Sequence, residues 1–274
     1  MNIVRSYGLI FPQEAQCPVV DDLGEKWRIY YGRRDKDNRS RIYYFEVSKD
    51  DLYTSVFTAF PIVRLGAEGS FDEHGQIPSS IATINGVKWL YFTGVRKGGE
   101  QRYTNAIGAI RIEEEGFFKL KEPVMERRSE EWFSSHLIAS NNGFGFCCSC
   151  REWRNNEPIY DIHMATSNGG DDWAQTEETL RLVKGEGGIC GFNLFGTEAV
   201  FCVRGKEDYR GGGGSYRLET AEWNLEGWKR TGRLEMPNEG WNSEMQCYPY
   251  IVNNLMFYNG NQFGKTGIGC VEIL

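Results

Sequence analysis

The sequence predicts an all-β fold, a five-bladed β-propeller built as a single domain over residues 1–274, and three observations predict it. One strand-like signature recurs five times at near-constant spacing, and helical periodicity is missing throughout. The composition agrees: 33 Gly, only 8 Pro and 14% aromatic residues suit short strands and tight turns rather than helices or disorder.

The signature is an aromatic or aliphatic run that ends near a small residue. It begins at Trp27, Trp89, Phe144, Ala199 and Leu255, so successive starts lie 62, 55, 55 and 56 residues apart. That interval is about the length of one four-stranded propeller blade. A β-sandwich with an extra sheet is the competing architecture, and it has no need of an even repeat.

Each signature is preceded by an apolar strand and a turn rich in Asn, Asp or Gly: Asp21-Asp22-Leu23-Gly24, Asn85-Gly86, Asn141-Asn142-Gly143, Gly196 and Asn253-Asn254. Such residues tolerate the positive φ of tight hairpins. Third strands are expected over 41–47, 106–112, 159–166, 216–222 and 266–273, with hairpins after 167–173 and 221–223 leading to outer strands. The last unit runs out of chain before its fourth strand, while Met1 to Ile10 precedes the first unit without a role. The N-terminal strand is therefore expected to pair with the last blade and close the ring.

A formal charge of −7 argues against nucleic acid or an anionic membrane surface as the main partner. No stretch approaches a membrane span and the N-terminus lacks an uninterrupted apolar run, so a cytoplasmic location is the expectation. The eight cysteines (17, 147, 148, 150, 190, 202, 247 and 270) sit mostly in apolar strand-like runs, as reduced, buried thiols do. In Cys147-Cys148-Ser149-Cys150 only Cys148 and Cys150 share a strand face, and no CxxC pair complements them, so no metal is implied.

In a propeller blade, the start of the inner strand and the loop between the second and third strands share one face. That face should collect Gly69 to Asp72, Pro78-Ser79-Ser80, Ser134-Ser135-His136, Glu186 to Gly188, Trp241 to Glu244 and Gln246 to Tyr248. The loops add Arg33 to Arg39, Arg96, Asn105, Arg151 to Asn156, Arg204, Asn259 to Asn261 and Lys265. Convergent polar groups with aromatic walls define the default ligand site. Glu244, Asp72 and Asp37 are the candidate catalytic acids; Arg33, Asp35, Asn38, Arg39, Ser79, Ser80, Asn105, His136, Arg204, Tyr248, Asn261 and Lys265 are the candidate substrate-binding residues.

Each candidate has a plainer reading. Asp72 follows a Gly-Ser-Phe turn and fits a turn role, and Asp35 with Asp37 lies among Arg33, Arg34, Arg39 and Arg41, where an internal ion-pair network is the alternative. His136 heads an inner strand, where it serves either as a core residue or as a ligand contact. Glu244, behind an aromatic at the start of an apolar strand, should be partly buried near the channel. His74 and His163 read as surface or packing residues, and Glu113 to Glu115 as a solvated turn.

The segments Gly32 to Ile42, Gly69 to Asp72 with Pro78-Ser79-Ser80, Asn105 to Gly108, Ser243 to Tyr250, and Tyr258 to Asn261 followed by Gly264 to Gly267 carry a family likeness over the whole chain. The chain resembles the five-bladed propeller superfamily of glycoside hydrolase families 32, 43 and 130, and within it a branch associated with bacterial surface-polysaccharide genes. The resemblance implies a carbohydrate ligand and a place in polysaccharide metabolism. Those hydrolases carry carboxylates on the inner strands of their first three blades. Here the corresponding stretches are Gln13 to Val20, Ile77 to Ser80 and Ser134 to His136, and Glu14 is the only acid among them.

Two functions follow. In the first, the protein acts on a glycosidic or sugar-phosphate bond, with Glu244 or Asp72 as proton donor and Arg33, Arg39, Arg204 and Lys265 holding an anionic group. In the second, it is a non-catalytic carbohydrate-binding propeller that uses Trp241, Tyr248 and Tyr258 as stacking platforms. Either way the expected partner is a carbohydrate, sugar phosphate or nucleotide sugar, and no cofactor is implied.

Overall fold

A computed structural model describes residues 1–99, 101–125, 133–210 and 212–274, the side chains of Arg151 and Glu178 excepted; Arg151 of the polar-face prediction thus lies outside the described side chains. The described chain is almost entirely strand and divides into two compact units. One comprises Met1–Tyr31, Tyr44–Phe57 and Leu182–Leu274; the other comprises Gly32–Tyr43 and Thr58–Arg181.

Every recurring signature forms the second strand of an antiparallel series. In the second unit Gly75–Ile84, Val87–Arg96, Thr104–Glu113 and Gly116–Lys119 pair in succession. Phe133–Ala139, Phe144–Arg154, Glu157–Thr166 and Ala174–Leu180 do the same. The first unit holds Glu186–Phe195, Glu198–Gly205, Arg217–Asn224 and Gly227–Arg233, and then Cys247–Val252, Leu255–Asn259 and Ile268–Ile273. Ile3–Phe11 lies antiparallel to Ile268–Ile273 in register Ile3 to Ile273, so the N-terminal segment supplies the outer strand of the last series as expected. Gln16–Asp22, Lys26–Arg34, Ser40–Ser48 and Ser55–Phe57 form the remaining series, and the boundary between the units passes through its middle two strands.

The turns obey the chemistry that predicted them. Asn85 (φ 50°) and Gly86 (φ 79°) carry the paired positive φ of a two-residue hairpin, and Asn253 has φ 54° at the equivalent tip of the last series. The one helical segment among the described residues, Asn261–Gly264, is four residues long with Gln262 (φ 55°) and Phe263 (φ 60°) in the left-handed region, so it is a local turn rather than a helix.

The core of the second unit gathers Trp89, Tyr91, Ile107, Leu137, Cys147 and Trp173. The loop 167–173 is tied into it by Tyr91 Oη and the indole nitrogens of Trp89 and Trp173, which donate to the carbonyls of Gly169 and Gly170 at 2.8–3.2 Å. Gly170 has φ 89°, and a Cβ there would stand 2.5 Å from Trp89 Nε1, so this position needs glycine for both backbone and space. In the first unit Phe11 stacks on Phe45 at 4.2 Å, and Phe192 meets Trp228 edge-on at 5.1 Å. All eight cysteines are buried thiols outside any disulfide. Among the described residues no helix is long and apolar enough to cross a membrane.

Candidate functional site

The candidate residues fall into both units. In the second, Asp35 accepts backbone N–H bonds from Asp37 and Arg39 at 3.0 Å and side-chain bonds from Arg39 (3.2 Å) and Arg41 (3.0 Å), while Arg39 also pairs with Asp37 at 2.9 Å. Partial burial works against ionisation of Asp35, yet these donors prevail and hold its carboxyl below the usual range. Asn38, with φ 58°, occupies the left-handed position of this turn. Arg33 lies 4.4 Å over the Tyr43 ring. Asp35, Asp37 and Arg39 thus hold one another, and the exposed side of the loop presents Asn38 and the outer edge of Asp37.

Asp72 is 1% exposed and ion-paired with Lys119, whose side chain is 17% exposed. Gln76 Nε2 and Ser70 Oγ donate to the same carboxylate at 2.6 and 3.2 Å. Phe71 stacks on Phe92 at 5.9 Å and covers Gly94 and Gly108, where a Cβ would strike the Phe71 or Phe92 ring at 2.3–2.4 Å. The Gly69–Asp72 motif is consequently a plugged turn.

The inner strands share a device that a pairwise reading of the sequence misses. Four of them bend at a β-bulge, seen as register shifts at Pro78/Ser80, Ser135/Ile138, Cys190/Asn193 and Cys247/Tyr250. Positive φ falls on Cys17 (52°), His136 (50°), Gly191 (67°) and Tyr248 (52°). Side chains of an adjoining series catch the freed amides: Asn259 Oδ1 accepts from Cys17 N (2.6 Å), Thr93 Oγ1 from His136 N (2.9 Å) and Cys202 Sγ from Tyr248 N (3.4 Å). Ser80 Oγ donates to the Leu137 carbonyl at 2.7 Å and accepts from Ala139 N at 3.0 Å, a structural tie between inner strands. Ser79 Oγ and Asn105 Oδ1, by contrast, are buried without a partner among the described residues. Strained non-glycine φ values of this kind gather where a scaffold holds a functional geometry.

In the first unit Arg204 is 1% exposed, lies 4.0 Å over Tyr209 and donates to the Gly205 carbonyl at 3.0 Å. From Tyr209 a chain of rings runs through Phe263 and Tyr216 to Tyr248 with centroid separations of 6.4, 6.1 and 5.9 Å. Close by in sequence, buried Gln246 Oε1 and Ser215 Oγ lack a partner among the described residues. Glu244 is exposed rather than partly buried, but its backbone is pinned: Asn261 Oδ1 accepts from Glu244 N (2.9 Å) and Met245 N (3.0 Å), and Arg217 donates to the Glu244 carbonyl. Lys265 is exposed. Trp241 packs over Gly260 and Gly269 and against Tyr258 at 5.3 Å, and the Tyr258 hydroxyl accepts from Asn242 at 2.9 Å, so both rings are engaged in packing.

Two further clusters join Trp153 and Glu186 of the expected polar face to residues that the sequence did not single out. In the second unit Tyr103, Phe133 and Trp153 form a ring cluster with centroids 5.7–6.4 Å apart. In the first, Arg230 forks onto Glu186 (2.6 and 2.9 Å) and reaches Glu219 at 3.3 Å. Burial raises the Glu219 carboxyl above its usual range, with like charge on Glu186 adding to it, despite the opposing pull of Arg230. Sequence spacing carried no signal for this triad, because it joins three strands. Among the described residues no group of three or more His, Cys, Asp or Glu side chains is placed to hold a metal ion.

No family model matches the chain. It is similar to the uncharacterized protein Rv1502 of Mycobacterium tuberculosis (strain ATCC 25618 / H37Rv), with 25% identity over 293 residues that span 93% of this chain and 91% of the relative. Among solved structures it superposes on a glycoside hydrolase with a TM-score of 0.72 at 13% identity, covering 98% of this chain and 91% of the other. It also matches the β-1,2-mannobiose phosphorylase of Listeria innocua, solved with β-1,2-mannobiose, with a TM-score of 0.65 at 12% identity over 100% and 92% of the two chains. The fold is that of the glycosidase-like propellers.

Proposed function

We propose that the chain is a carbohydrate-active protein, a single five-bladed propeller that acts on a glycosidic or sugar-phosphate bond with Glu244 as the proton-transferring carboxylate. The observation that carries this reading is the contrast between Glu244 and the other carboxylates of the predicted site, Asp35, Asp37 and Asp72. Asp35, Asp37 and Asp72 are committed to arginine or lysine partners, whereas Glu244 is exposed on a backbone pinned by Asn261 and Arg217. A fixed backbone under an exposed carboxylate whose charge faces Arg217 suits positioned proton transfer. Gln246 Oε1 and Ser215 Oγ, buried polar atoms without a partner among the described residues, lie in the same unit as Glu244 and suit a ligand rich in hydroxyl groups. Sugar phosphates and nucleotide sugars belong to the same ligand class, with Lys265 as the candidate anion contact in the unit of Glu244, and a cytoplasmic role in polysaccharide metabolism fits this reading.

A second reading, a non-catalytic carbohydrate-binding propeller, is favoured by the same ion pairs, because glycoside hydrolysis ordinarily uses two carboxylates and the pairs leave one. Incubation with β-1,2-mannobiose, other glycosides, sugar phosphates and nucleotide sugars separates the two. Turnover that falls at least about 100-fold in Glu244→Gln with unchanged melting supports the enzyme. Ligand-dependent melting shifts without turnover in the parent protein would replace it with the binding module.

A further inference from the structure

Cys190 and Cys202 sit directly opposite each other on the antiparallel strands Glu186–Phe195 and Glu198–Gly205, with their Sγ atoms 3.1 Å apart. Residues so opposed have Cα atoms about 4.5–5.5 Å apart. That separation falls within the window of about 4.4–6.8 Å that a disulfide accepts, and the sulfurs need close by only about 1 Å to bond. The β-bulge that begins immediately after Cys190 gives the strand local freedom to make that adjustment. Cys202 Sγ is also the acceptor for the Tyr248 amide at 3.4 Å, and its S–H points to the Cys190 carbonyl at 3.3 Å. One sulfur therefore belongs both to a potential covalent pair and to the support of a candidate ligand-binding ring.

We propose that Cys190 and Cys202 are an oxidisable pair that a small disulfide such as oxidised glutathione converts into a cross-strand disulfide, and that Tyr248 registers the change. The thiolate of one cysteine attacks the glutathione disulfide and expels one glutathione thiolate. The other cysteine then gives up its proton, attacks the mixed disulfide and expels the second. Two protein thiols and one oxidised glutathione become one protein disulfide and two reduced glutathiones. Both side chains are buried, at 3% and 0% exposure, so the exchange proceeds as the chain folds or as the strand pair opens rather than at the closed surface. Bond formation draws the Cys202 sulfur toward Cys190 and changes the acceptor that the Tyr248 amide meets. Only the bearing of this on ligand binding rests on the proposed function; the cross-link itself does not.

The test is to unfold the full chain, refold it in a glutathione buffer rich in the oxidised form, alkylate the remaining thiols with iodoacetamide and map the peptides. A Cys190–Cys202 cross-linked peptide about 2 Da lighter than its reduced parts, with the other six cysteines alkylated, is the expected result. Natively refolded protein with all eight cysteines alkylated, or with bonds scattered among Cys147, Cys148 and Cys150, overturns the proposal. The ¹⁵N–¹H signal of Tyr248 should move when dithiothreitol reduces the bond, and a signal that stays in place overturns the coupling to Tyr248. A failure of sugar binding changes neither readout.

Discussion

Replacing Asp72 with Asn removes a charge while keeping an acceptor for Gln76 Nε2, so it isolates the worth of the pair with Lys119. Asp72 is 1% exposed and the Lys119 side chain 17%, which leaves the ammonium largely buried and unpaired in the variant. Breaking one side of a buried ion pair costs about 3–5 kcal/mol, and the residual exposure of Lys119 places the expectation at the lower end, about 3 kcal/mol. For a chain of this size that corresponds to a melting temperature lower by about 6–12 °C. Thermal unfolding followed by circular dichroism measures it. Lys119→Met in the Asp72→Asn background should restore part of the loss, because the stranded charge is then gone. A shift under about 1 °C, or two losses that simply add, would refute the structural role. If turnover nonetheless vanished in such an undisturbed Asp72→Asn protein, Asp72 would return as a catalytic acid.

Gly170→Ala places a methyl 2.5 Å from Trp89 Nε1 at φ 89°, and overpacking with backbone strain should cost about 2–4 kcal/mol, visible as a lower denaturation midpoint in urea; an unchanged midpoint would count against the packing of the 167–173 loop. Glu219 supplies a pH test. Its carboxyl is raised in the fold, so its favourable contribution is present below the unfolded value of about 4.3 and is lost as pH rises through the folded value. Glu219→Gln should therefore gain stability relative to the parent protein near neutral pH and lose that advantage toward about pH 4, as urea titrations at several pH values would reveal. An advantage that grew on acidification would reverse the assignment.

The repeat was legible because its signals are local. Alternating apolar runs and Asn-Gly turns such as Asn85-Gly86 state their backbone needs within a few residues, and the pairing of Ile3–Phe11 with Ile268–Ile273 followed from matching one missing strand to one spare segment. The site was less legible, since the chemistry of a loop residue depends on what reaches it. Asp35 among arginines read equally well as ligand contact or as internal network, and the donors from Arg39 and Arg41 place it in the network. Thr93 looked like an ordinary strand residue and Asn259 like a polar-face loop residue, because their task of accepting an amide from a neighbouring bulge exists only after tertiary assembly. Glu219 likewise offered no cue before Arg230 and Glu186 arrived from other strands.

The partnership of Ile3 with Ile273 bears on how the chain is made. Bringing together segments about 270 residues apart costs about 4 kcal/mol more loop entropy than closing a hairpin, so this pairing should come late in folding. During synthesis the first strand leaves the ribosome long before its partner exists, and it must wait without a ladder to join. Until Ile268–Ile273 emerges, the apolar residues of Ile3–Phe11 have no strand to cover them, and an uncovered apolar strand is the kind of surface that invites association with other chains.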